Sequence, residues 1–142
     1  MHKVFYASGF IFHPQSQQIL LQQTTPEDIA LFSGVSKQTE SGATTFQRVL
    51  KENAGINIPP TLIYPIYSYE SNDSKKKIDV FYAVVDEQVS EFPKGKNAAW
   101  FNFKKLYKTK LKGDLLQDLT VGQRVINAAS RDLYNQELID KG

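Results

Sequence analysis

Alternation and periodicity divide this chain into elements. Val4 to Phe12 is apolar, aromatic and β-branched, which predicts a strand with Gly9 as a candidate bulge. His13-Pro14-Gln15-Ser16-Gln17-Gln18 is polar and turn-forming, and Ile19-Leu20-Leu21 resumes the apolar run, so a hairpin is expected. Pro26-Glu27-Asp28 reads as a loop and Ile29-Ala30-Leu31-Phe32 as a short strand. The period then changes. Ala43, Phe46, Leu50 and Ala54 recur at i, i+3, i+7 and i+11, one stripe of a helix over Ser41 to Ala54. Ser41 suits its N-cap and Gly55 its stop. Leu62 to Tyr69 and Ile78 to Val85 predict an antiparallel pair joined by the polar turn Glu70 to Lys77. Trp100 to Phe103 reads as a short strand or turn. Thr120 followed by Gln123 is a capping box, so a last helix is expected from Thr120 to Tyr134, with Val121, Val125, Ala129 and Leu133 as its core face. No repeat and no linker interrupts the pattern. One α/β domain over residues 1–142 follows, a mixed sheet with helices on its faces.

Composition narrows the chemistry. The chain has 142 residues and no Cys, so disulfides, thiolate metal sites and cysteine nucleophiles are excluded. Zero Cys fits a reducing cytosol, and a cytoplasmic location is expected. No apolar run approaches the roughly 18 residues of a membrane span. The N-terminus lacks a signal-peptide cleavage pattern. The net charge of +2 is too small to announce nucleic-acid binding.

The informative stretch is Gly34 to Ile56. Glu40 follows Gly34 after five residues, Arg48 follows after seven more, and Val49-Leu50-Lys51-Glu52-Asn53-Ala54-Gly55-Ile56 completes it. Positions 49, 52 and 53 lie at i, i+3 and i+4 and share one helical face, apart from the Phe46 and Leu50 face. Carboxylates there would offer the hard oxygen ligands that Mg²⁺ takes before bridging to phosphates.

This stretch resembles the Nudix box, G-x5-E-x7-R-E-U-x-E-E-x-G-U, where U is a bulky aliphatic residue. Gly34, Glu40, Arg48, Leu50, Glu52, Gly55 and Ile56 match, and Val49 and Asn53 stand where the family has glutamates. Ala99-Trp100-Phe101 resembles a Trp-Phe segment common near the end of such domains. The resemblance implies an α/β/α sandwich with a mixed sheet. It implies hydrolysis of a nucleoside diphosphate linked to another group, with Mg²⁺ or Mn²⁺ on Glu52 and Glu40. Arg48 would orient the box glutamates. The catalytic set it implies is thus Glu52, Glu40 and Arg48, on a degenerate site of low activity. The alternative is a catalytically inactive module of the same fold that binds a nucleotide or a protein. The isomerase branch of this superfamily relies on a cysteine and is rejected. Expected partners are a nucleotide-diphosphate small molecule and, in a homodimer, a second copy of the chain. Neither a membrane nor nucleic acid is expected.

Other residues weigh less. His2 and His13 lie at the terminus and in a turn, outside any ligand pattern. Tyr67 and Tyr69 share one strand face, which suits packing more than base stacking. Lys75-Lys76-Lys77 reads as a solvated hairpin tip. Lys104, Lys105, Lys108, Lys110 and Lys112 read as a solvated face able to attract phosphates.

Overall fold

The computed structural model describes residues 4–37, 39–71, 75–85, 97–111 and 113–141, the last nine as helical backbone alone. His2, Lys112, residues 72–74 and the Leu133 side chain lie outside this description. Seven strands form one sheet: β1 (Phe5–His13), β2 (Gln18–Thr25), β3 (Asp28–Ala30), β4 (Phe32–Val35), β5 (Ile63–Glu70), β6 (Lys77–Val84) and β7 (Ala98–Asn102). Three helices accompany it: α1 (Gly42–Ala54), α2 (Phe103–Tyr107) and α3 (Gly113–Lys141). No described helix is long and apolar enough to cross a membrane.

β1 organises the sheet. It pairs parallel with β6 along nearly its whole length, from Phe5 with Lys77 to Phe12 with Val84. It also pairs antiparallel with β4 through residues 6–9 and with β2 through residues 11–13. The expected hairpins β1–β2 and β5–β6 are both present and antiparallel. Pro65, which has no N–H to give a ladder, sits on the outermost strand next to a register shift.

Strand alternation builds two cores. Ala7 and Ile11 of β1 and Phe81 and Ala83 of β6 face α1 and join Phe46, Val49, Leu50 and Ala54. Phe10 and Phe12, with Val80 and Tyr82, face the other way and join Leu115, Leu119 and Ile126 of α3. The mixed sheet is therefore covered on both faces, the expected α/β/α sandwich.

Three expectations need correction. Gly9 is no bulge: it stays in register with Phe81 and Phe32. A Cβ there would collide with the Phe81 carbonyl oxygen and come within 2.8 Å of Phe46 Cζ, so contact explains the glycine. The segment after β2 is two short strands, β3 and β4, because its halves pair with different partners, β2 and β1. The last helix starts at Gly113, not Thr120. Thr120 lies inside α3, and its hydroxyl donates to the Leu116 carbonyl at 2.7 Å. The buried side of α3 carries Leu115, Leu119 and Ile126, displaced from the expected Val121, Val125 and Ala129, which are half-buried.

Candidate functional site

α1 forms where local signals agree. The Ser41 hydroxyl accepts from Thr44 N–H at 3.2 Å, and Gly55 closes the helix at φ 70 with its N–H bound to the Lys51 carbonyl. The preceding loop folds back on itself. Lys37 N–H donates to Glu40 Oε1 at 2.7 Å, and Glu40 N–H returns to the Lys37 carbonyl at 3.1 Å.

Glu40 is held by protein donors on both oxygens. Arg48 Nε reaches Glu40 Oε2 at 2.9 Å and Arg48 Nη2 reaches Oε1 at 2.9 Å, a two-pronged pair. Thr45 Oγ1 lies 3.2 Å from Glu40 Oε1 and 2.9 Å from the Ser41 carbonyl, its one proton shared between them. The Arg48 guanidinium, with Lys37 N–H, overcomes partial burial and holds the Glu40 carboxyl down at about 2. Arg48 Nη2 also donates to the Val35 carbonyl at 2.7 Å, tying the end of β4 to α1. Glu52 stands on the rim: its side chain is 56% exposed and lies 3.5 Å from Arg48 Nη1. The structure thus brings Glu40, Arg48 and Glu52 together, with the arginine between the two acids.

The box positions 49 and 53 are differently used. The expected separate face for position 49 is not found: Val49 is 1% exposed and belongs to the α1 core. Its Cγ2 fills the space beside Gly34, where a Cβ would stand 2.6 Å away. The Asn53 amide donates to the Val49 carbonyl at 2.8 Å. These residues do not fit a divalent-metal cage. Mg²⁺ demands several oxygen ligands in near-octahedral order. Glu40 Oε1 accepts from Lys37 N–H and Arg48 Nη2 and Oε2 from Arg48 Nε, so a metal would have to compete with the arginine, and position 49 offers hydrocarbon. Among the described residues no three His, Cys, Asp or Glu side chains group to hold a metal ion.

A second feature lies on the α3 face. Ser8, Gln22, Asp28, Leu31, Asp114 and Asp118 are among the residues lining a surface cavity of about 590 Å³. Asp118 is only 5% exposed, and it accepts a 2.5 Å hydrogen bond from the Tyr67 hydroxyl. Burial pushes the Asp118 carboxyl up to about 6 against the opposing Tyr67 bond, and neighbouring Asp114 adds to the rise. Burial, Asp118 and the neighbouring Tyr69 in turn raise the Tyr67 hydroxyl. No Lys or Arg is among the described lining residues. Sequence reasoning singled out Tyr67 and missed Asp118. The available signal was an acid between Leu115 and Leu119 on an otherwise apolar helical stripe.

The remaining candidates are dispersed. His13 Nδ1 is engaged with Ser16 Oγ at 2.8 Å, and Lys76 lies over the Tyr6 ring at 4.7 Å.

No protein-family model matches the chain, and no curated protein sequence matches it. Solved structures do. A mutT/nudix family protein from Listeria innocua matches with a TM-score of 0.65, over 91% of this chain and 97% of its own, at 16% identity. The NUDIX domain of Shewanella oneidensis NrtR, solved in complex with ADP ribose, matches with a TM-score of 0.62 over 89% and 90%, at 18% identity. The C-terminal domain of mouse MUTYH, solved in complex with human PCNA, matches with a TM-score of 0.62 over 89% and 91%, at 12% identity. What is shared at this identity is architecture, and the chain has the fold of the MutT/Nudix superfamily.

Proposed function

We propose that this chain is a Nudix-fold binding module that holds a nucleotide derivative without hydrolysing it at the box helix. The observation that carries this reading is the packing of Val49 against Gly34, with Asn53 bonded to the Val49 carbonyl. Where the resembled box has carboxylates, this helix has hydrocarbon at position 49 and an internal hydrogen bond at position 53. The Arg48–Glu40 pair then acts structurally, joining loop, β4 and α1.

The ligand is assigned to the Asp118 cavity. Its polar side chains are Ser8, Gln22, Thr24, Asp28, Asp114 and Asp118, which suit a neutral, donor-bearing part of a ligand such as a nucleobase or ribose. A phosphate would meet three acids there, so it belongs outside the cavity. The ADP ribose held by the Shewanella domain makes that compound a reasonable first probe.

A second reading, slow metal-dependent hydrolysis through Glu52, is favoured by one observation: the Glu52 carboxylate remains mostly exposed. One experiment separates the two. Calorimetry with ADP ribose and a panel of nucleoside diphosphate derivatives measures binding, and chromatography with Mg²⁺ or Mn²⁺ present measures products. Binding that Asp118→Leu abolishes, without products, supports the module. Turnover that falls at least about tenfold in Glu52→Gln, about 1.4 kcal/mol of transition-state stabilisation, supports the hydrolase. Failure of every ligand to bind would overturn both.

A further inference from the structure

The cations of this chain are segregated. Residues 98–131 contain seven of its seventeen Lys and Arg residues and two of its fifteen Asp and Glu residues. Of those two acids Asp118 is buried against Tyr67 and Asp114 is exposed at the start of α3, and the next acid, exposed Asp132, directly follows Arg131. α2 and the turn after it present Lys104, Lys105, Lys108 and Lys110, all exposed. α3 presents Arg124 and Arg131, spaced i, i+7 and also exposed. The salt bridges among the described residues involve Arg48 and Lys77 and none of these six cations.

Tyr107 joins the two groups. Its hydroxyl donates to Gln123 Oε1 at 2.6 Å, which fixes α2 against α3. Burial raises that hydroxyl's titration, and a contact with Thr120 and the nearby charge of Arg124 oppose the rise, so Arg124 stands close to the lysine-bearing helix. The Tyr107 ring is backed by Phe103 at 6.2 Å between centroids, yet the residue is 39% exposed. Beyond it, Arg124, Asn127, Ser130 and Arg131 line a cavity of about 590 Å³ with Gln17 of the β1–β2 turn.

We infer that this face binds single-stranded nucleic acid, with the cations on its phosphates and Tyr107 as a stacking surface for a base. Phosphate attraction is local and additive over neighbouring cations. A whole-molecule charge of +2 therefore argues against such a partner only until the charge is seen to be segregated. Single-strand sites combine a basic track with an exposed aromatic ring, and both are present here. An anionic membrane would fit less well. The cavity between Arg124 and Arg131 is lined by Asn127, Gln17 and Ser130, side chains that hydrogen-bond a backbone, and Leu116 is the one exposed large apolar side chain on the described part of α3, too little to anchor a bilayer. The site lies apart from the box helix and from the lining of the Asp118 cavity, so it stands whatever the fate of the ligand reading above.

The test is fluorescence anisotropy with a short labelled oligo(dT) and full-length protein over a salt series. Binding should weaken with salt at a log–log slope of about −3 or steeper, as for four or more phosphates at about −0.7 each. The fourfold variant K105Q/K108Q/R124Q/R131Q should bind at least about tenfold more weakly and flatten the slope by more than half. Its thermal melt should match wild type, because the substituted groups are exposed and form no salt bridge among the described residues. Tyr107→Leu should weaken binding about fivefold or more while leaving the slope nearly unchanged. Lys75→Gln with Lys76→Gln, at the β5–β6 turn, should change nothing. Absence of binding at low salt would overturn the inference. So would equal binding by the fourfold variant, or preferential binding to phosphatidylserine vesicles over the oligonucleotide.

Discussion

Val49 and Gly34 share one volume: a Cβ added at Gly34 would lie 2.6 Å from Val49 Cγ2. The β4 backbone and the box helix approach so closely that only hydrogen fits between them. Gly34→Ala should therefore destabilise by about 1–3 kcal/mol, the usual range for overpacking. Val49→Ala removes the obstructing methyl groups, so the double variant should lose less than the two single losses combined. Urea denaturation of the four proteins measures that coupling. Simple additivity would show that the two residues do not press on each other.

Leu50 is fully buried between Phe46 and the sheet. Leu50→Ala should cost about 2–5 kcal/mol in the same assay. A change within about half a kcal/mol would mean that the buried face of α1 is misassigned.

Asp118 titrates at about 6, raised from an ordinary 3.8. The protonated form is the one the fold prefers. Its contribution is complete below pH about 4 and disappears as pH rises through about 6. At pH 7 the ionised carboxylate is a cost. Asp118→Asn still accepts from Tyr67 and carries no charge, so it should stabilise by about 1–3 kcal/mol at pH 7. The gain should vanish towards pH 4. A gain of constant size across that range would show that the side chain is not the titrating group.

Glu40 carries the opposite sign. Its carboxyl is depressed to about 2 by Arg48, so its contribution is present above pH about 5 and is lost as pH falls towards 2. The stability gap between wild type and Glu40→Gln should be widest at neutral pH and close in strong acid. Thermal melts across pH check this, and a gap unchanged at pH 2 would remove the ion pair as its cause.

Mg²⁺ or Mn²⁺ alone should give no saturable heat with the free protein at micromolar concentrations, because hard cations need anionic oxygens and Val49 supplies none. Micromolar affinity that Glu52→Gln abolishes would restore the metal reading of Glu52.

The parts of this molecule that were legible in sequence are those decided within a few residues. α1 was readable because Ser41, the Phe46–Leu50–Ala54 stripe and Gly55 all lie inside fifteen residues and agree. The Arg48–Glu52 contact follows from i, i+4 spacing, whereas the Arg48–Glu40 pair needs the loop at Lys37 to fold back. Val49 was not readable. It sits on the flank of the buried stripe, and only the approach of Gly34 from another strand decides that it turns inward. Asp118 escaped for the same reason: its partner Tyr67 is 51 residues away, on β5. The start of α3 was misplaced because Thr120 and Gln123 satisfy a capping pattern that the continuing helix overrides.

The parallel pairing of β1 with β6 fixes an order of events during synthesis. β1 leaves the ribosome well before its eight registered partners, Lys77 to Val84. Closing so distant a contact is slow compared with forming the β1–β2 hairpin or α1. Until β6 arrives, the nascent chain carries Phe10, Ile11 and Phe12 on a strand with one unsatisfied edge, open to any other extended segment. The central strand of the finished sheet is thus the segment that most needs shielding while the protein is being made.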